Sequence, residues 1–147
     1  MNNEDLIRNF ESAAIPADSF HHADHVRLAF AYLSQYPPLQ ALEKFCTALR
    51  RYAAAHGKSR LYHETITHAY FFVIRERMVR GSAQFSSNDS PSTDRTSNDR
   101  PSNDWNDFAR RNPDLFVWKN GILTRYYTEA TLQSELARSV FLFPDKF

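Results

Sequence analysis

Residues 20–25 read FHHADH and residues 62–68 read YHETITH, so five of the chain's six histidines fall in two short stretches about forty residues apart. Imidazole titrates near neutral pH and both ligates metals and moves protons, and a carboxylate nearby can ligate or orient it. On a helix, residues three or four apart share a face with Cβ atoms about 5–6 Å apart. That pairs His22 or His21 with His25, and Glu64 with His68. Either upstream pair could grip one ion, with Glu64 and His68 supplying two more ligands from a neighbouring helix. His63 points about 100° away from Glu64 on a formed helix and enters as a ligand from a looser first turn. Imidazole and carboxylate donors without thiolate suit Zn, Fe(II), Mn or Ni.

HETITH is not the metalloprotease pattern, which needs histidines four apart with the glutamate directly after the first; His63 and His68 are five apart. Without metal, His63 or His25 would act as general base, oriented by Glu64 or Asp24, with hydroxyls from Thr65 and Thr67. The plainer alternative makes a histidine at a helix start a cap or a surface residue. His68, among Ile66, Ala69, Phe71 and Phe72, then becomes a hydrogen-bonded core histidine.

The elements that must position these groups are helical. Asn3 to Ala14 reads as a first helix, with Glu4 and Asp5 in its positive first turn and Leu6, Ile7 and Phe10 inward. A second starts near His22 or Ala23 and runs to Gln35, with Val26, Ala29, Phe30 and Leu33 on its inner face. A third opens at Pro38, carries Leu39, Leu42, Phe45, Cys46, Leu49 and Tyr52 on one stripe and ends at Gly57. Cys46 on that stripe reads as a buried structural thiol. The fourth, about Leu61 to Arg80, is apolar nearly all round over ITHAYFFVI, which predicts a central position.

Residues 81–104 change character: Ser, Asn, Asp, Pro and Thr dominate and SND occurs three times. Such a stretch buries too little apolar surface to offset its ordering entropy, and it is expected to be a disordered low-complexity insertion. Short helices follow, capped by Asp104 and started by Asn112–Pro113, and the terminal FLFPD is expected to pack back onto the body. No alternating apolar/polar pattern predicts a sheet. The expected fold is all-α, one domain over 1–147, an irregular bundle of four main helices plus short C-terminal helices.

The chain has 147 residues, 42% of them apolar, enough for one packed core. Eighteen basic against seventeen acidic residues give no electrostatic argument for nucleic acid or an anionic membrane. One cysteine excludes an internal disulfide and a cysteine-built zinc site. No apolar stretch approaches the roughly 20 residues that span a bilayer, and the N-terminus lacks the pattern of a secretory signal, so a cytoplasmic protein is expected.

The segments FHHADHVRLAFAYL, YHETITHAYFFVIRERM, NPDLF, LTRYY and FLFPD together resemble a group of small bacterial helical proteins. Those carry an aromatic–x–His–x–x–His–Val–Arg–Leu–Ala motif and a later Tyr–His–Glu–Thr–x–Thr motif. The first falls here on Phe20, His22, His25, Val26, Arg27, Leu28 and Ala29; the second on Tyr62, His63, Glu64, Thr65 and Thr67. The likeness covers most of the chain outside 81–103 and brings residues but no reaction. It implies that His22 rather than His21 pairs with His25, and that His63 and Glu64 matter more than His68. The resulting expectation is a mononuclear metal site of His22, His25, His63 and Glu64. Glu64 or His63 would carry acid–base chemistry on an unidentified small molecule. The alternatives are a metal-free small-molecule binding protein, with Tyr62, Tyr126 and Tyr127 shaping a pocket, and an interaction module whose histidines are structural.

Overall fold

A computed structural model describes residues 2–81, 104–119 and 121–146. The low-complexity stretch expected as a disordered insertion lies almost wholly outside them. Within the described residues the chain is all-α, without strands.

Helix α1 (Asn3–Glu11) is capped by Asn2, whose side chain accepts from the Asp5 N–H at 2.8 Å. It stops three residues before the expected Ala14. Ala13 turns the chain with φ +57°, and the approach to Pro16 requires extended backbone rather than helix. Helix α2 (His22–Gln35) and helix α3 (Pro38–Ala55) run as their patterns predict, Pro38 taking the first helical position and Gly57 closing α3 at φ +67°.

Helix α4 is Glu64–Arg80, three residues shorter than expected at its start. Ser59–Leu61 form a 3₁₀ turn instead, and Tyr62 and His63 are extended because the His63 ring caps the helix. Helix α5 (Trp105–Arg111), 3₁₀ turns at Pro113–Phe116 and Ile122–Arg125, and short helices α6 (Glu129–Leu132) and α7 (Glu135–Ser139) complete the chain.

The central helix is α2, not α4. It packs against α1, α3 and α4, and Val26, Leu28, Ala29, Phe30, Ala31 and Tyr32 are all buried. Ala29 and Ala31 allow neighbours to approach from more than one side, whereas α4 turns Phe72 (42% exposed) toward solvent. One core joins these helices to Phe108, Leu115, Ile122, Leu123 and Tyr127 from the C-terminal third.

The C-terminal segment returns to the body as expected, held on the start of α4. The buried Thr65 hydroxyl lies 2.7 Å from the Ala137 carbonyl and 2.9 Å from that of Val140, and accepts from the Leu142 N–H at 3.1 Å. Tyr127 donates to the Leu142 carbonyl at 2.7 Å. Asp145 accepts from the Thr128 N–H and from the Thr128 and Thr131 hydroxyls.

Candidate functional site

The two histidine motifs sit at the starts of α2 and α4, where first-turn N–H groups need partners and side chains can reach across to later segments. His22 uses that position to donate from Nε2 to the Leu115 carbonyl at 2.8 Å. Its ring lies against Tyr70 (4.9 Å) and Trp118 (5.0 Å). Burial lowers its pKa, and the Leu115 bond opposes that in part. His25 packs on Phe20 with ring centroids 4.4 Å apart. Burial, with a smaller contribution from His22, holds its pKa down to about 4. His21 is exposed; its backbone N–H donates to Asp24 Oδ2 at 2.8 Å.

His63 is committed on both sides of its ring. Nδ1 accepts the Ile66 N–H at 3.0 Å, which fixes the tautomer, and Nε2–H donates to the Leu132 carbonyl at 2.7 Å. Burial lowers its pKa as well. In this geometry neither nitrogen has a free lone pair for a metal or a substrate proton. His63 therefore tethers α4 to the end of α6.

Of the four residues expected as one ligand set, Glu64 alone enters a cluster of donor atoms. Among the described residues, one group of three or more His, Cys, Asp or Glu has its donor atoms mutually within 4.8 Å: Cys46, Glu64 and His68. Cys46 comes from the middle of α3, and Glu64 and His68 from one face of the first turns of α4. Glu64 is the first residue of α4, where the helix dipole favours negative charge. Its Oε1 accepts from the Tyr62 hydroxyl at 2.7 Å and lies 3.2 Å from His68 Nδ1, while Oε2 lies 3.9 Å from Arg50.

His68 Nδ1 also sits 2.8 Å from the Glu64 backbone carbonyl. A carbonyl only accepts, so the proton is on Nδ1 and Nε2 keeps its lone pair. Burial pushes the Cys46 thiol up, partly opposed by its hydrogen bond with Tyr62. Burial and the bond to Glu64 push the Tyr62 phenol up too. The Tyr62 phenol thus donates to Glu64 beside the Cys46 thiol.

These donors can do two things. A carboxylate at a helix start with hydroxyl and imidazole neighbours can move protons. A thiolate, a carboxylate and an imidazole are also a three-ligand set with room for a fourth. Tetrahedral zinc would place such atoms roughly 3.3–3.8 Å apart, so closing the set needs a contraction of up to about 1.5 Å.

Sequence spacing identified Glu64 with His68 as a pair but assigned Cys46 to the core, and it is indeed buried. No local motif links Cys46 to Glu64; only the antiparallel packing of α3 and α4 brings them together. Two surface cavities lie elsewhere, one of about 540 Å³ beside Glu4, Arg8, Glu11 and Tyr36, the other of about 190 Å³ beside Arg77, Arg80, Asp107 and Arg111. No family model, no curated protein and no solved structure matches the chain.

Proposed function

We propose that this chain is a small metal-dependent protein whose divalent ion is held by Cys46, Glu64 and His68, with a fourth position open to water or a small-molecule substrate. The observation that carries this reading is the convergence of those three donor atoms within 4.8 Å. One soft thiolate with one imidazole and one carboxylate favours Zn over the harder Mn, and three protein ligands with one open position is the pattern of catalytic rather than structural zinc. Tyr62, which donates to Glu64 Oε1 at 2.7 Å, would hold or pass a proton at that carboxylate.

The test is metal content of untagged protein with Cys46→Ser, His68→Ala and His25→Ala variants. About one equivalent in the parent and in His25→Ala, with loss in Cys46→Ser and His68→Ala, supports the assignment. Metal lost in His25→Ala and kept in Cys46→Ser would return the ligands to the His22, His25, His63 and Glu64 set.

A second reading is favoured by the His63 bonds: the histidines of both motifs are structural latches and the chain is an interaction module. It predicts no stoichiometric metal in the parent protein.

A further inference from the structure

Arg50 stands beside the proposed ligands and is not used by them. Its side chain is half exposed, its guanidinium carbon lies 5.5 Å from the centre of the Tyr62 ring, and NH1 stands 3.9 Å from Glu64 Oε2. Arg77 shows what a satisfied fork looks like in this chain: two bonds to Asp114 at 3.0 and 2.8 Å and a third to Asn112. Among the described residues, Arg50 makes no hydrogen bond of that kind: it has the long contact to Glu64, its place over the Tyr62 ring and a weaker electrostatic influence on Cys46. A guanidinium offers five N–H donors in a planar fork matched to a carboxylate.

Charge decides what the fork would take. A divalent ion with Cys46 thiolate, Glu64 carboxylate and neutral His68 sums to zero. The Glu64 charge is then neutralised by the ion, and Arg50 leaves the site at +1. A monocarboxylate balances that charge; a phosphate dianion exceeds it.

We propose that the site takes a small carboxylate-bearing ligand, its carboxylate on the Arg50 fork beside the open metal position. This rests on the metal reading above. Arg50 is then a specificity-determining group, stacked on Tyr62 and turned to the ligand rather than to Glu64.

The experiment loads the full chain with Co(II) to saturation and follows its visible spectrum during titration with acetate and, separately, with inorganic phosphate. The parent protein should respond saturably to acetate. Arg50→Gln, still loaded with cobalt, should need about tenfold more acetate or worse, as expected for losing a charge-assisted pair, and Arg50→Lys should fall between. Acetate binding unchanged in loaded Arg50→Gln, or phosphate binding more tightly than acetate, overturns the carboxylate assignment and leaves the metal site standing. A parent protein that takes up no cobalt, read before any acetate is added, overturns both.

Discussion

At the scale of single residues, the two histidine motifs divide their labour. His22 and His63 each donate one ring proton to a distant backbone carbonyl, Leu115 and Leu132, and so hold later segments on the starts of α2 and α4. His63→Ala removes the Leu132 partner and the Ile66 cap together. It should cost about 1–3 kcal/mol in urea unfolding, with His63→Gln recovering part, because an amide can replace one bond. His68 is different: with Nδ1 on the Glu64 carbonyl, its replacement by alanine should cost less stability than His63→Ala while abolishing metal uptake. The Cys46 thiol is pushed up, so metal entry must displace its proton. Apparent affinity, measured by chelator competition, should therefore rise with pH across the neutral range.

At the scale of elements, α4 links the candidate site to the C-terminal segment. Its first turns carry Glu64 and His68 toward α3 and Thr65 toward α7 and the tail. Thr65→Val keeps the shape but strips the hydroxyl from the Ala137 and Val140 carbonyls and from the Leu142 N–H. The expected loss is about 1–3 kcal/mol, with hydrogen exchange accelerating most in residues 140–146.

The helical stretches were legible because apolar spacing alone positions them, and the caps at Asp104 and Gly57 followed from residue type. Two features were not legible. Burial of α2 over α4 depends on which partners close around each helix, and a one-helix pattern does not encode that. The capping role of a histidine at a helix start was legible as the plainer alternative, and the His63 ring takes it at Ile66. Cys46 carried no local signal, since its neighbours in the site come from another helix.

At the scale of the whole molecule, one buried histidine, His63, and two partly buried ones, His22 and His25, share one direction of pKa shift, downward. A histidine whose folded pKa lies below its unfolded value binds fewer protons in the native state. Its contribution is therefore present above the unfolded pKa and is lost as pH falls toward the folded one. For His25 that window runs from 6.5 down to about 4, on the order of 3 kcal/mol at about 1.4 kcal/mol per unit. Stability should fall steadily with acid across that range. His25→Leu should flatten part of the slope in pH-dependent urea titrations. Asp114, held low by Arg77, adds a loss only below the ordinary carboxylate range.

The proposed metal site joins α3 to α4, taking Glu64 and His68 from the second histidine motif and nothing from the first. Cys46 is its only sulfur donor, so X-ray absorption of the zinc-loaded protein tests it most directly. Zinc held by Cys46, Glu64 and His68 should show one sulfur at about 2.3 Å and nitrogen or oxygen neighbours at about 2.0–2.1 Å. A shell of nitrogen and oxygen alone, with no sulfur, would contradict it.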